Sequence, residues 1–183
     1  MKITKTTLPE VKIIEPTYFE DYRGYYTESY SARTLAEHNI TSTFVQDNHI
    51  FNLKDGTIRG IHFQNNPKSQ TKLLRCTKGI IFDVAVDLRK NSPTYKQWVS
   101  VILSAENRKQ ILIPSGFGHG LLTLCDNCEI MYKVDNFYEP TLDRAIKWDD
   151  LDLNIKWPIK EPIVSPKDAA APSLQDSDVN FTL

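Results

Sequence analysis

Eight short β-type segments, each closed by turn-forming residues, limit what this chain can fold into. The segments are rich in β-branched and aromatic residues, which are enriched in strands. They are GYYTESY, FVQDNHI, TIRGIHFQ, KLLRC, IIFDVAVDL, QWVSVIL, QILIP and EIMYKV. Many short strands at such spacing are typical of a β-sandwich or β-barrel. The chain is therefore predicted to be mainly β.

Polar and apolar residues alternate most clearly in IFDVAVDL. Strand residues two apart share a face, so one face of this segment is predicted to be core. The apolar face contains Phe82, Val84, Val86 and Leu88, and the other contains Asp83, Ala85 and Asp87. Helical signals are few, which again favours a mainly-β fold.

A helix is predicted over ARTLAEH, after Ser31 as N-cap, and a second helical segment is considered near the C-terminus. No internal repeat and no linker interrupts the chain, and 183 residues fit one domain, 1–183. The tail after Asp168 is poor in core-forming residues and is predicted to wrap around the domain or to fray.

The charge of the chain argues against a polymeric partner. A formal net charge of -1 leaves no basic excess for nucleic acid or an anionic membrane. No apolar run approaches the roughly 20 residues of a membrane helix, and MKITKTTLPE lacks the apolar segment of a signal peptide. A soluble, cytoplasmic protein is expected.

Three cysteines cannot all pair, and two of them, Cys125 and Cys128, form a CxxC. A zinc site needs a second such pair or histidines at matching spacing. Ordinary reduced thiols in a turn are therefore expected.

Arg59 and His62 interrupt the segment GTIRGIHFQ, where a buried strand would carry branched apolar side chains. Strict alternation puts His62 on one face and Arg59 on the other. The two side chains converge only if Gly60 bends or bulges the strand, and such a bulge is predicted here.

Similar polar residues interrupt other predicted strands and one glycine-rich segment. A single such residue is more often a satisfied core or rim residue than a catalytic one. Their number favours a shared cavity. They are Gln46, Asp47, Asn48, Lys72, His119 and Tyr132.

Eight segments, in order from about Ile14 to Asp168, closely resemble the dTDP-4-dehydrorhamnose 3,5-epimerase family. The segments are FEDYRGYYTESY, FVQDNHI, GTIRGIHFQ, TKLLRC, FDVAVDLRKNSPTY, IPSGFGHG, MYKVDNFYEP and IKWDDLDLNIKWP. The resemblance implies a jelly-roll fold of the cupin type and a homodimer. It also implies a dTDP-sugar as substrate.

Many cupins bind a metal through an HxH pair, a glutamate and a later histidine. In this chain Phe63 and Gln64 follow His62, so the second imidazole of the pair is missing, although His119 supplies a later histidine. Two histidines far apart make a weak transition-metal site. We therefore expect no metal and no cofactor.

The resemblance assigns four residues to the chemistry of a 4-keto-6-deoxy sugar. His62 is the base, and Asp168 holds its other ring nitrogen. Lys72 stabilises the enolate, and Tyr132 returns a proton on the opposite face of the ring. The implied reaction converts dTDP-4-dehydro-6-deoxy-D-glucose to dTDP-4-dehydro-L-rhamnose by inversion at C3 and C5.

The resemblance also implies a set of contacts to the nucleotide sugar. Arginine and lysine suit the diphosphate, and an aromatic ring suits the thymine. The implied contacts are Arg23, Arg59, His119 and Lys167, with polar contacts from Glu28, Gln46, Asp47, Asn48 and Asp143, and stacking by Tyr138. Many relatives carry glutamate where this chain has Asp143.

Two other functions stay open from the sequence. The first is an enzyme of the same kind that epimerises only C3, or isomerises the keto group, with the same base and a similar nucleotide pocket. The second is a cupin-type binding module, which recognises a nucleotide sugar without catalysing a reaction on it. The presence of Tyr132 favours the double epimerisation.

Overall fold

Fourteen strands and two short helices make up the computed structural model, which describes residues 1–183. In chain order they are β1 (Lys2–Lys5), β2 (Lys12–Glu15), β3 (Tyr18–Asp21), β4 (Gly24–Thr27), α1 (Ala32–Ala36), β5 (Gln46–Asn52), β6 (Thr57–Gln64), β7 (Lys72–Lys78), β8 (Ile80–Asp87), β9 (Trp98–Ser104), β10 (Gln110–Ile113), β11 (Phe117–Thr123), β12 (Cys128–Val134), β13 (Asp143–Ala145), β14 (Ile163–Val164) and α2 (Pro166–Ala169).

The strands form two mainly antiparallel sheets and a separate hairpin. The first sheet has the order β1-β2-β10-β7-β12-β5, and the second has the order β13-β6-β11-β8-β9 with β14 parallel to β6. Strands β3 and β4 form the hairpin. The predicted mainly-β, jelly-roll architecture is confirmed, and each of the eight predicted segments overlaps a strand.

The sequence did not predict β11, which contains Gly118 and Gly120. Glycine lowers strand propensity because it adds backbone entropy and no side chain to pack. In the structure β11 lies between β6 and β8 and is buried along its whole length. Pairing on both sides and close packing therefore override its weak local preference.

The main core lies between the two sheets. Its members are almost fully buried, and both sheets contribute to it. The first sheet supplies Leu74, Cys76, Ile111, Ile113, Cys128 and Ile130, and the second supplies Ile81, Ala85, Leu103, Phe117 and Leu121. This burial is the main force that holds the sandwich closed.

A second core lies behind the second sheet and is covered by the C-terminal tail. Leu174, Val179 and Phe181 pack there against Val84 and Val86 of β8. The tail therefore wraps around the domain. The alternation predicted in IFDVAVDL is present, but both of its faces are buried, because the tail covers the face opposite to the inter-sheet core.

Both helices are short. Ser31 caps α1 as predicted, and its Oγ accepts a hydrogen bond from Thr34 N at 3.3 Å, although the helix ends earlier than the ARTLAEH pattern indicates. Helix α2 begins after Ser165, whose Oγ accepts from Asp168 N at 3.1 Å. Neither helix has the length or apolar character that a membrane-spanning helix requires.

All three cysteines are free thiols, as expected. The sulfur atoms of Cys125, in the turn after β11, and of Cys128, at the start of β12, lie 3.4 Å apart. Burial raises the pKa of Cys76 to about 12 and also raises the pKa of Cys128. Cys76 and Cys128 are therefore protonated at neutral pH.

The predicted bulge in β6 is confirmed. His62 pairs with His119 of β11, and Arg59 pairs with Leu121, so two residues of β6 face one residue of β11. The extra residue reverses the alternation, so that Arg59 and His62 face the same side while Ile61 packs in the second core. Gly60 lies inside the bulge.

Gly60 packs directly against the backbone of β11. Its φ is +125°, and a Cβ placed there would lie 2.6 Å from Gly120 Cα and 2.7 Å from His119 O. Both neighbours are backbone atoms and cannot move aside without breaking the sheet. The bulge therefore requires glycine for its conformation and for its space.

Replacing Gly60 with alanine should destabilise the protein far more than the same change at Gly24. Gly24 has a φ of +124° but no atom within 4 Å of a Cβ. Gly24→Ala is expected to cost about 1–3 kcal/mol of backbone strain. Gly60→Ala adds the clash with β11, about 1–3 kcal/mol more. Urea denaturation of both variants measures the difference, and equal free energies of unfolding would contradict this account.

Candidate active site

A histidine and an aspartate 106 positions apart form the centre of the site. His62 Nε2 lies 2.5 Å from Asp168 Oδ1. An ionised carboxylate only accepts hydrogen bonds, so Nε2 carries the proton and donates it. No protein group bonds to Nδ1 of His62. The neutral imidazole therefore keeps a free lone pair on Nδ1.

Asp168 is buried, and its neighbours favour the ionised form. Burial alone raises the pKa of its carboxyl, but the hydrogen bond from His62, with a 3.5 Å hydrogen bond from Gly60 N, lowers it below the usual value. Helix α2, capped by Ser165, carries Asp168 toward β6. Asp168 is thus a fixed anionic partner for His62.

His62 opens into a cavity of about 250 Å³ between the two sheets. Its walls are mainly polar or aromatic, as expected for a site that orients a polar ligand. They comprise Ile50, Arg59, His62, Phe63, Gln64, Gln70, Lys72, His119, Leu121, Tyr132, Tyr138 and Asp143. Seven of the residues implied by the family resemblance are among them.

Lys72 of β7 is buried in the first sheet. Its ammonium donates to the backbone oxygen of His62 at 3.4 Å, across the gap between the sheets. Burial lowers the pKa of Lys72 to about 8, although the charges of Asp83 and Asp143 oppose this effect. Lys72 is therefore a desolvated cation, poised to lose its proton slightly above neutral pH.

His119 forms a second histidine–aspartate pair beside the first. Its Nε2 donates to Asp83 Oδ2 at 2.9 Å, and both side chains are buried. Burial lowers the pKa of His119, and the charge of nearby Lys72 lowers it further, while Asp83 opposes the shift. A neutral His119 is the consequence, so the expected contact to the ligand is a hydrogen bond and not a charge.

Tyr132 enters the cavity from β12 of the first sheet. In the register of β12 with β7, Tyr132 faces Leu74 and Val134 faces Lys72, so Tyr132 and Lys72 are diagonal neighbours. Burial raises the pKa of Tyr132, as does the charge of Asp143, while Arg59 opposes the shift. The phenol therefore keeps its proton at neutral pH and can donate it.

Arg59 lies beside His62 because of the bulge, and one residue orients its side chain. Its Nε donates to Asn52 Oδ1 at 2.7 Å, while its Nη atoms form no hydrogen bond within the protein. The free end of the guanidinium is therefore available to an anion.

Polar contacts connect the rim of the cavity. Lys167 donates to Asp143 at 2.6 Å, and the hydroxyl of Tyr138 donates to Asp143 at 3.3 Å. Gln46 accepts from Tyr138 N at 3.1 Å and donates to Asn48 at 2.9 Å. These implied ligand contacts form one network, with the exposed Tyr138 ring at its edge.

The chain does not bring three implied contacts to its own cavity. Asp47 points to the opposite face of β5 from Gln46, because neighbouring strand residues alternate, and it pairs with Lys133 at 2.8 Å. Arg23 lies in the β3–β4 hairpin and pairs with Asp21. Glu28 follows that hairpin, which forms a sheet of its own.

Sequence reasoning missed several residues of the site. Asp83 was assigned only to a strand face, although an aspartate between Phe82 and Val84 is a signal of a buried polar partner. Gln64 accepts from Glu139 N at 2.8 Å and donates to Phe137 O at 3.1 Å, so it fixes the loop that carries Tyr138. No group of three His, Cys, Asp or Glu side chains is arranged to hold a metal ion.

The geometry suits proton transfer on a polar ligand. A neutral imidazole with a free ring nitrogen can accept a proton, a buried ammonium stabilises a developing oxyanion, and a protonated phenol is a donor. His62 comes from the second sheet, while Tyr132 and Lys72 come from the first. Acid and base thus approach the cavity from different walls.

Comparison with known proteins gives one consistent result. The family model for dTDP-4-dehydrorhamnose 3,5-epimerase matches residues 5–176. The dTDP-4-dehydrorhamnose 3,5-epimerase of Salmonella typhimurium is 48% identical over 179 residues, covering 97% of each chain.

Solved structures agree. The dTDP-4-dehydrorhamnose 3,5-epimerase of Bacillus anthracis, with TDP and PPi bound, has a TM-score of 0.92 and 48% identity, covering 94% of this chain and 98% of its own. The dTDP-6-deoxy-D-glucose-3,5-epimerase of Legionella pneumophila, in complex with dTDP-4-keto-L-rhamnose, has a TM-score of 0.92 and 44% identity, covering 97% of this chain and 94% of its own. The chain belongs to the dTDP-4-dehydrorhamnose 3,5-epimerase family.

Proposed function

We propose that this epimerase inverts C3 and C5 of dTDP-4-dehydro-6-deoxy-D-glucose and releases dTDP-4-dehydro-L-rhamnose, a step of dTDP-L-rhamnose biosynthesis. The observation that carries the proposal is the 2.5 Å contact between His62 and Asp168 at a cavity that Tyr132 enters from the other sheet. The names of the relatives support the substrate class.

In the proposed mechanism, His62 removes the proton. The C4 carbonyl acidifies the hydrogens on both adjacent carbons, so one base of moderate strength serves C3 and C5 in turn. Asp168 keeps the imidazole proton on Nε2 and stabilises the imidazolium that forms, because its carboxylate is already ionised. Nδ1 of His62 is the nitrogen that receives the substrate proton.

Lys72 stabilises the enolate. Negative charge develops on O4 only after deprotonation, so a desolvated ammonium beside it favours the transition state over the ground state. The contact from Lys72 to the His62 carbonyl keeps the ammonium near the base. The carbonyl and Lys72 together supply the acidity, and the mechanism requires no metal or cofactor.

Tyr132 returns a proton from the other side of the sugar ring. Inversion requires removal on one face and delivery on the opposite face. Tyr132 suits delivery because it belongs to the opposite sheet from His62 and keeps its proton at neutral pH.

The nucleotide is held by Arg59 and the rim. Arg59 presents free Nη atoms to the diphosphate, while neutral His119, whose Nε2 proton is donated to Asp83, accepts a hydrogen bond from a ligand hydroxyl through Nδ1. Tyr138 stacks on the thymine, and Lys167 contributes a second cation. Gln46, Asn48 and Asp143 supply polar contacts to the rest of the ligand.

The working unit is proposed to be a homodimer that completes each site. Arg23 and Glu28 lie at the β3–β4 hairpin, away from their own cavity, and the hairpin exposes the rings of Phe19, Tyr25 and Tyr26. Exposed aromatic surface of this kind marks a protein interface. The hairpin of one subunit would carry Arg23 and Glu28 to the cavity of the other.

Deuterium exchange tests the assignment of base and acid. In heavy water, the wild-type protein should introduce deuterium at C3 and C5 of the 4-keto sugar nucleotide, measured by NMR. His62→Ala should abolish exchange at both carbons. Tyr132→Phe keeps the base but removes the donor, so exchange at C3 should persist while inverted product, especially at C5, falls strongly.

The same experiment separates the other functions. Exchange at C3 alone in the wild type would indicate a C3 epimerase, and exchange at neither carbon a binding module. Wild-type rates of L-rhamno product from Tyr132→Phe would contradict the role of Tyr132.

The lowered pKa of Lys72 predicts that the activity falls at alkaline pH. Above its pKa of about 8 the ammonium loses its proton and no longer stabilises the enolate, so kcat/KM should fall as pH rises through about 8. Lys72→Arg should lower the rate but remove this limb, because the arginine pKa exceeds about 12. A pH–rate profile with the same limb in Lys72→Arg would assign the titration to another group.

Mixing inactive subunits tests the dimer. A heterodimer of His62→Ala and Arg23→Ala subunits contains one intact site if the hairpin crosses to the partner. Activity at low substrate concentration should therefore exceed that of either parent after the subunits are exchanged. His62→Ala mixed with Lys72→Ala is the control, because both changes affect the same cavity and no intact site forms. Recovery in neither mixture would exclude a shared site.

A further inference from the structure

Asn52 is the one side chain that bonds to Arg59. It is the last residue of β5, lies on the same strand face as the cavity residue Ile50, and is almost fully buried. Its Oδ1 accepts from Arg59 Nε at 2.7 Å. Because β5 and β6 belong to different sheets, this hydrogen bond crosses the sandwich beside the cavity.

The neutral partner distinguishes Arg59 from the other hydrogen-bonded arginines. Four others form ion pairs with carboxylates, which offset their charge. These are Arg23 with Asp21, Arg89 with Asp87 and Glu10, Arg108 with Glu20, and Arg144 with Asp178. An amide instead orients the guanidinium and leaves its full charge for a ligand.

Apart from the contact with Arg59, the orientation of the Asn52 side chain does not stabilise the fold. A guanidinium has only donors, so the amide oxygen must face Arg59. Nδ2 is then buried with no hydrogen-bond partner within the protein, which is unfavourable for folding. The contact to Arg59 is the only hydrogen bond of the Asn52 side chain.

We propose that Asn52 is a positioning residue that directs Arg59 at the diphosphate of the substrate while keeping its charge uncompensated. The inference rests on the proposed function, because it takes Arg59 as the diphosphate contact. It adds a residue that does not itself touch the nucleotide, and it requires that residue to be a neutral acceptor.

Two substitutions of similar size separate positioning from folding. Asn52→Leu removes the acceptor, and the exposed Arg59 then hydrogen-bonds to water. We expect the Kd for dTDP, measured by calorimetry, and KM to rise about tenfold, while Tm stays the same or increases because the unpaired Nδ2 is gone. Asn52→Asp keeps the hydrogen bond but neutralises Arg59, and should also weaken dTDP binding about tenfold.

A double-mutant cycle with Arg59→Ala completes the test. In that background, Asn52→Leu should change the Kd for dTDP by no more than about twofold, because no guanidinium remains to position. Unchanged affinity in either single variant, or equal losses with and without Arg59, would overturn the positioning role. If Arg59→Ala itself left dTDP affinity unchanged, the proposed function of Arg59 would fail instead.

Discussion

The close approach of Gly60 to the backbone of β11 determines where the functional groups lie. Without the bulge, strict alternation would turn Arg59 away from His62 and into the packed side of β6. With it, Ile61 fills the second core while Arg59 and His62 share the cavity face. The same segment places Gly60 N against Asp168. The backbone that forms the bulge therefore also helps to hold Asp168 beside His62.

Burial and hydrogen-bond partners together shift the pKa values of the groups that line the cavity. Lys72 and His119 lose affinity for protons because they are desolvated, and Asp83 limits both shifts. Asp168 stays ionised because His62 bonds to it. The result is a site in which a neutral His119, a Lys72 ammonium with a pKa of about 8 and a protonated Tyr132 coexist near neutral pH.

Local patterns predicted much of the fold but little of the site. The alternation of residues and the turn residues predicted the long strands. The glycine between Arg59 and His62 predicted the bulge in β6. The glycine-rich strand β11 was not predicted, because its stability comes from pairing with the strands on both sides and not from its own sequence. Asp168 is 106 positions from His62, so only the family resemblance indicated their contact. The partner of Arg59, Asn52, has no sequence signal, because its role depends on two sheets meeting.

The central claim is that Asp168 fixes His62 as a neutral base with its free nitrogen in the cavity. Nitrogen-15 NMR of the histidine rings tests it directly, with a His62→Ala sample to assign the signals. The account predicts a proton on Nε2 and none on Nδ1 in neutral His62, and loss of this preference in Asp168→Asn. A neutral His62 protonated on Nδ1, or a tautomer unaffected by Asp168→Asn, would contradict it.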